Sequence, residues 1–189
     1  MRKQVFLLFL LSLTACVFAW RSFKVIFTSF PYEINKDKLE VKLEIRNDTG
    51  ETTINCHINV IEQLDDMTLE YAISLENSDA NWTTLIKRTV HFCKFLTTKT
   101  TDPILKVIYE DLLKHGNFFK SCPVQKGIYY VHDYRIDEEM LPSYVPETTM
   151  AVDILWKNAK KETALFKGRL IGKIDKSKGF NNLKIFSLG

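Results

Sequence analysis

The side chains that most often carry chemistry are few and widely spaced in this sequence. Four histidines, His57, His91, His115 and His132, could serve as bases or metal ligands, but none lies in an HExxH-type spacing. His57 falls on the outward side of an alternating segment. His115 lies at the end of a helical segment, where the helix dipole favours a positive charge. These positions favour solvated or capping roles over catalysis.

Other catalytic signatures are missing from the sequence. There is no GxSxG elbow, no P-loop and no GxGxxG fingerprint. The acidic triplet Asp137-Glu138-Glu139 lies in a loop flanked by prolines, and hydration explains it better than calcium, which needs more oxygen ligands at defined spacing. The sequence therefore predicts a protein that is not an enzyme and uses no cofactor. A lipid-modifying enzyme is the weakest alternative.

The first nineteen residues have the pattern of a secretory signal peptide. A basic start precedes an apolar run from Val5 to Leu13, and Val17-Phe18-Ala19 places small residues at the −3 and −1 positions of a cleavage site. The run is shorter than the roughly 20 residues that a membrane span needs. We therefore expect removal of residues 1–19, secretion to the extracellular space, and a single mature domain over residues 20–189.

The cysteines fit that compartment. Cys16 leaves with the signal peptide, so three cysteines remain in an oxidising environment. Cys93 and Cys122 bracket the predicted helix, and their pairing would close a loop of about 30 residues, worth roughly 3.5 kcal/mol in the chain-entropy model. Cys56 is then the leftover buried thiol, although the sequence leaves the other pairings open. The three are too far apart to suggest a metal site.

One amphipathic helix is expected, starting at Pro103 with Asp102 as its N-cap. Apolar side chains repeat along one face and charged side chains along the other. The apolar stripe consists of Ile104, Leu105, Ile108, Tyr109 and Leu112. Gly116 is predicted to end the helix in a left-handed conformation.

The rest of the chain reads as about eight strands. Lys38 to Arg46 alternates most clearly, with apolar residues at every second position, which is typical of an antiparallel strand with one wet face. Gly168 and Gly172 in the last strand predict a bulge or a close backbone approach. Hairpin-linked strands of this kind indicate a sandwich or barrel. The other predicted strands are Phe23–Phe30, Ile54–Val60, Leu69–Leu75, Leu85–Phe95, Gly127–Ile136, Thr148–Trp156 and Thr163–Ile174.

Surface features narrow the possible partners. Asn47 and Asn81 head glycosylation sequons at two turns. Without residues 1–19 the chain has 24 Lys and Arg against 23 Asp and Glu, a balance that argues against nucleic acid. The segment from Lys160 to Gly189 is strongly basic. It is either a solvated tail or a patch that contacts an anionic membrane surface or an acidic partner.

A group of motifs in the middle of the chain resembles a known family. The motifs are His91-Phe92-Cys93-Lys94-Phe95-Leu96, Leu105 with Ile108-Tyr109, Gly116-Asn117-Phe118, Cys122-Pro123, Gly127-Ile128-Tyr129-Tyr130 and Leu141-Pro142-Ser143-Tyr144-Val145-Pro146. They are similar to those of the insect secreted proteins that include the CheB chemosensory group. Those proteins look like distant relatives of the ML lipid-recognition superfamily and the ganglioside-activator protein. Related sequences often have further N-terminal cysteines, whereas this chain has only Cys56 there.

The resemblance implies an immunoglobulin-like, ML-type antiparallel β-sandwich around a hydrophobic pocket. It also implies binding of lipids, hydrocarbons or contact pheromones near sensory neurons, whose receptor is a possible partner. We therefore expect a secreted, non-enzymatic carrier of an apolar ligand. The alternative is a protein-interaction or co-receptor domain with a solid core. The residues expected to line the pocket, with the two phenylalanines at its lip, are Leu43, Ile45, Ile58, Val60, Tyr71, Ile73, Phe118, Phe119, Val152, Ile154 and Trp156.

Overall fold

The computed structural model describes residues 24–48, 51–98, 102–137 and 145–176. The predicted signal peptide, two members of the acidic triplet and the basic segment from residue 177 onward lie outside the described residues. The elements in chain order are β1 (Lys24–Ser29), β2 (Tyr32–Ile34), β3 (Leu39–Asp48), β4 (Glu51–Val60), β5 (Met67–Glu76), β6 (Trp82–His91), α1 (Phe92–Thr98), α2 (Pro103–Leu112), β7 (Gly116–Asn117), β8 (Gly127–Tyr134), β9 (Thr149–Asn158) and β10 (Ala164–Asp175).

The strands form two antiparallel sheets arranged as a sandwich, which confirms the predicted fold class. The six-stranded sheet has the order β1-β10-β9-β5-β6, and β2 also pairs with β10. The four-stranded sheet has the order β3-β4-β8-β7. The described residues contain ten strands, whereas about eight were predicted. The two additional strands are β2 and β7, which are only three and two residues long and so leave little pattern in the sequence.

The alternation of the sequence sets which side of each strand faces inward. In the β3–β4 hairpin, Leu39 pairs with Val60, Leu43 with Cys56 and Ile45 with Ile54, so apolar side chains meet across the strands. Successive side chains of a strand point to opposite faces, so the intervening charged residues of β3 face solvent. Each sheet therefore has one apolar inner face.

The core consists of two clusters of buried side chains. Fifteen residues near the helices form the helical cluster: Leu39, Val60, Leu64, Met67, Leu69, Tyr71, Val90, Phe92, Phe95, Leu96, Leu105, Tyr109, Phe119, Val124 and Leu165. Five residues form the small cluster: Val25, Phe27, Ile54, Met150 and Ile174. Edge-to-face ring contacts order the helical cluster, including Phe92 on Trp156 with centroids 4.5 Å apart and Phe95 on Tyr109 at 5.4 Å.

Helix α2 begins as the sequence predicts. Asp102 is the N-cap, and its carboxylate accepts a hydrogen bond from the backbone N–H of Leu105 at 2.9 Å. Leu105 and Tyr109, one turn apart, are the buried members of the predicted stripe. The Tyr109 hydroxyl donates to the backbone oxygen of Phe119 at 2.9 Å. The helix is thereby fixed to the segment that follows it.

Helix α1 corrects the prediction of a strand from Leu85 to Phe95. Strand β6 ends at His91, and the next seven residues are helical. Phe92, Phe95 and Leu96 are buried together, and their spacing of three and four residues places them on one helical face. Burial of this face against the rest of the helical cluster explains why the chain is helical here and does not continue strand β6.

Gly116 corrects the predicted helix end. Helix α2 closes at Leu113 with ordinary right-handed geometry, and Gly116 belongs to β7, where it pairs with Val131. A Cβ atom at Gly116 would lie 2.2 Å from the backbone oxygen of Tyr130. Glycine is therefore needed for a close approach of two strands and not for a left-handed turn.

The close approach predicted in the last strand is found at Gly168. A Cβ atom there would lie 2.8 Å from a ring carbon of Phe30, so the ring packs directly on the backbone of β10. The bulge in the pairing of β10 with β9 lies elsewhere, between Ala164 and Phe166. Gly172 is also buried in β10.

A disulfide joins Cys93 in α1 to Cys122, as predicted, with the two Cα atoms 5.4 Å apart. Beside it, the backbones of Leu64 and Val124 exchange two hydrogen bonds of 3.0 and 2.9 Å. The peptide bond between Cys122 and Pro123 is cis. Cys56 is the free cysteine of the described residues. Within those residues, neither helix is long and apolar enough to cross a membrane.

Candidate functional site

The eleven residues predicted to line a pocket are divided between the two clusters. Eight belong to the helical cluster or pack against it: Ile58, Val60, Tyr71, Ile73, Phe118, Phe119, Ile154 and Trp156. Three pack against the small cluster: Leu43, Ile45 and Val152. Only Val60, Tyr71 and Phe119 are fully buried. The other eight are partly exposed.

Strand pairing places the partly exposed residues on the inner faces of the sheets. On the six-stranded sheet, Ile73 pairs with Val152, Tyr71 with Ile154 and Leu69 with Trp156. On the four-stranded sheet, Ile58 lies between Val41 of β3 and Tyr129 of β8. We use the name inner band for eight of the partly exposed inner-face residues: Val41, Leu43, Ile45, Ile58, Ile73, Val152, Ile154 and Trp156.

The inner band is unusual for the centre of a sandwich. In a closed sandwich, apolar side chains on the facing sides of the two sheets interdigitate and are excluded from water. Along this face of β4, Ile54 and Val60 are buried, whereas Cys56 and Ile58 between them are partly exposed. The inner band therefore borders space that a solvent molecule can enter, between two clusters that exclude it.

Polar groups near the inner band are neutral or already have partners. The Tyr71 hydroxyl lies 2.9 Å from both carboxylate oxygens of Asp102. Burial raises the pKa of Tyr71 well above its ordinary value, and the hydrogen bond to Asp102 acts in the same direction. Burial also raises the pKa of the Cys56 thiol to about 12, so this thiol is protonated at neutral pH. These groups leave the band apolar.

The two phenylalanines predicted at the lip differ in exposure. Phe119 is buried, and its ring meets Tyr129 edge-on with centroids 4.8 Å apart. Phe118 stacks beside Phe119 at 4.6 Å and is partly exposed. Of the two, Phe118 has the exposure that a lip requires.

A cleft of about 690 Å³ lies on the outer face of the six-stranded sheet. Of the predicted pocket residues, only Tyr71 and Ile154 are among those that line it. The charged residues that line it include Glu70, which forms an ion pair with Lys157, and Asp153, which forms one with Arg169. The guanidinium carbon of Arg169 also lies 4.8 Å from the centroid of the Trp82 ring. This cleft shares Ile154 with the inner band, and charged groups border it on the outer face.

The structure brings together two histidines that the sequence analysis treated separately. His57 on β4 and His132 on β8 face each other on the outer side of the four-stranded sheet, with their Nε2 atoms 2.9 Å apart. The two residues are 75 positions apart in the chain, and only the register of β4 with β8 makes them neighbours. No spacing motif in the sequence could have identified this pair.

The two predicted glycosylation sites, Asn47 at the end of β3 and Asn81 before β6, are both exposed. The Asn47 side chain accepts a hydrogen bond from Thr52 at 2.8 Å, and the Asn81 backbone N–H donates to Asn77 at 2.9 Å. Their accessibility fits the prediction. Modification of either asparagine stays a prediction.

Comparison with known families gives one match. A family model described as a protein of unknown function (DUF1091) matches residues 68–152, a little under half of the chain. The matched segment runs from β5 into β9 and contains both helices and the disulfide. No curated protein matches the chain. The match therefore supports a shared domain around the helical cluster. It assigns no activity to the chain.

Proposed function

We propose that this chain binds a long-chain apolar ligand between its two sheets and presents it without catalysing a reaction. The inner band is the observation that carries this proposal. Eight apolar side chains face inward and remain in contact with space that solvent can enter. A ligand that covered them would gain about 0.8 kcal/mol for each methylene removed from water.

The division of the core supports the same function. The helical cluster and the small cluster each consist of buried side chains from both sheets, so each of them joins the two sheets. The residues of the inner band pack against these clusters and stay partly exposed, so part of their apolar surface is free to contact a ligand. Apolar walls with a few neutral polar groups are typical of small-molecule sites.

The ligand class and the setting are also part of the proposal. The resemblance to insect secreted chemosensory proteins favours a lipid, a hydrocarbon or a contact pheromone as ligand. The disulfide between Cys93 and Cys122 favours an oxidising compartment, as expected for a secreted, extracellular protein. A sensory-neuron receptor, or an anionic membrane contacted by the basic C-terminal segment, is the partner that we propose.

The test uses a fluorescent long-chain fatty acid and two variants on the same strand. The protein lacking residues 1–19 is expected to bind the probe with micromolar or better affinity. Ile58→Trp is expected to weaken binding because the added ring fills the space beside the inner band, while stability changes little. Ile54→Trp is the matched control, because it inserts the same ring into the small cluster, where overpacking costs about 1–3 kcal/mol.

Val152→Trp repeats the test from the opposite sheet and is expected to weaken binding in the same way. The proposal is contradicted if no fatty acid or hydrocarbon of any chain length binds. It is also contradicted if Ile58→Trp and Ile54→Trp destabilise the protein equally, since the space between the sheets is then already filled.

A second candidate function is a protein-interaction or co-receptor domain. The cleft on the outer face of the six-stranded sheet favours it, because the exposed Trp82 lies against Arg169, one of the residues that line the cleft, and both residue types are enriched at interfaces. If the apolar probe fails to bind, this candidate takes the place of the first. Arg169→Glu would then be the variant to examine, since it removes both the ion pair with Asp153 and the contact with Trp82.

A further inference from the structure

The histidine pair on the outer face of the four-stranded sheet is built by two neighbouring strands. His57 lies on β4 and His132 on β8, and both side chains are exposed. The ring centroids are 4.7 Å apart and the rings are tilted by 48°. The close approach involves the two Nε2 atoms, at 2.9 Å. Either ring nitrogen of a neutral histidine can bind a metal, and in this pair the two Nε2 atoms are the ones that meet.

A β-bulge fixes the position of His132. Between Ile54 and Cys56 the register of β4 with β8 shifts, so that Asn55 lies opposite His132 and Asp133. Asp133 has a φ of 50°, and its N–H donates to the Asn55 side chain at 2.9 Å. Bulges redirect side chains at such points. This one sets the position from which His132 faces His57.

Two further contacts support the arrangement. The backbone N–H of His132 donates to the oxygen of His115 at 2.9 Å. The Tyr130 ring lies against His132 with centroids 4.8 Å apart and against His57 at 6.4 Å. Both imidazoles are thus held by neighbours that do not use the Nε2 atoms.

We propose that His57 and His132 form a two-histidine chelating site for a divalent transition metal, preferably Cu(II) or Ni(II). Two nitrogens bound at about 2.05 Å and at right angles to each other lie about 2.9 Å apart, the distance found here. Tetrahedral angles would require about 3.3 Å. The pair therefore fits two adjacent corners of the square arrangement that Cu(II) and Ni(II) adopt.

The remaining coordination positions are open to water. Among the residues that the structure describes, no third histidine, cysteine or carboxylate completes a metal-binding group. Lys42 pairs with His57 across the strands, and Glu44 forms an ion pair with Arg46 at 3.2 Å. The site lies on the outer face of its sheet, so this inference is independent of the proposed function.

The test is titration of Cu(II) into the purified mature protein, followed by calorimetry and electron paramagnetic resonance. All variants are made in a Cys56→Ser background, so that the free thiol neither binds nor reduces the metal. We expect one Cu(II) per chain, with splitting from two nitrogens. His57→Gln and His132→Gln should each weaken binding by about tenfold or more. His91→Gln is the control, because this exposed histidine lies on β6, away from the pair, and should leave the affinity unchanged.

Thermal unfolding of each variant without metal checks that the fold is intact. Equal Cu(II) affinity in the parent and in both single variants would overturn the proposal, as would spectra without coupling to two nitrogens. The pair would then be a hydrogen bond between two imidazoles. Zn(II) binding as tight as Cu(II) binding would overturn the assignment of a square site.

Discussion

Cys56 shows how burial changes the chemistry of a single side chain. It lies on the inner side of β4, paired with Leu43 on one neighbouring strand and Val131 on the other. Burial raises the pKa of its thiol from 9.0 to about 12, because a thiolate would lose the hydration that water provides. At neutral pH the residue therefore acts as a small apolar side chain and not as a nucleophile.

We expect native Cys56 to react slowly with iodoacetamide at pH 8 and to react fast once urea unfolds the chain. Without reductant, a single alkylation should be seen by mass spectrometry, because the other two cysteines of the mature chain are paired. A thiol pKa raised by folding stabilises the native state below about pH 9, and that contribution is lost as pH rises towards 12. Equal alkylation rates in the native and unfolded states would contradict the burial.

Residue-scale predictions from the sequence succeeded where the signal was local. Alternation along β4 identified Cys56 as an inward-facing thiol, and the positions of Cys93 and Cys122 around the helix indicated their pairing. The contact of His57 with His132 could not be predicted in this way. It depends on the register of two distant strands and on a bulge, which a single sequence does not specify.

At the scale of elements, Asp102 joins helix α2 to strand β5. It is 3% exposed, caps the helix through the N–H of Leu105, and accepts a hydrogen bond from the Tyr71 hydroxyl. A buried carboxylate is tolerated only when such donors surround it. The helix N-terminus and the strand therefore stabilise each other through one side chain.

Tyr71→Phe should lower the free energy of unfolding by about 1.5–3 kcal/mol, because it removes a hydrogen bond to a buried charged group. Tyr109→Phe is the matched control. It removes a neutral hydrogen bond to the Phe119 oxygen and should cost only about 0.5–1.5 kcal/mol. Urea unfolding of both variants measures the difference. Equal costs would mean that the Asp102 carboxylate is well satisfied without Tyr71.

The sequence predicted helix α2 better than the shorter elements. A capping Asp102, a proline at the first turn and a repeated apolar spacing all act within ten residues. Helix α1 has only seven residues and no such cap in the sequence pattern, and burial of its aromatic face decides its conformation. Strands β2 and β7 exist because β10 and β8 pair with them, a tertiary effect that local patterns do not contain.

At the scale of the whole molecule, the core is dense at two places and accessible between them. This division gives a direct test on strand β4. Ile54→Ala should lower the free energy of unfolding by about 2–5 kcal/mol, because it leaves a cavity in the small cluster. Ile58→Ala should cost under about 2 kcal/mol, since its side chain in the inner band is already partly exposed. Thermal and urea unfolding of the two variants provide the comparison. Similar costs would show a closed core.

The sandwich itself was predictable, because alternating strands joined by short turns must bury one face of each sheet. The difference in exposure between the inner band and the two clusters could not be predicted from the sequence. Ile54 and Ile58 are the same residue type on the same face of one strand, yet Ile54 is buried and Ile58 is partly exposed. Sequence periodicity predicts which face of a sheet a side chain lies on. It does not predict how closely other side chains pack against it.

Strand β6 has a consequence for behaviour at high concentration. Among the described strands it pairs with β5 alone, so one side of its ten-residue backbone is available to other chains. A bulge opposite Ile73 and Ser74 interrupts the regular ladder at the exposed Leu85, and Lys87 and Arg88 lie two and three residues further along the strand. Irregular backbone and positive charge both disfavour the addition of a strand from another molecule. These features therefore protect the free edge of β6, beside the exposed apolar Leu85, against edge-to-edge aggregation.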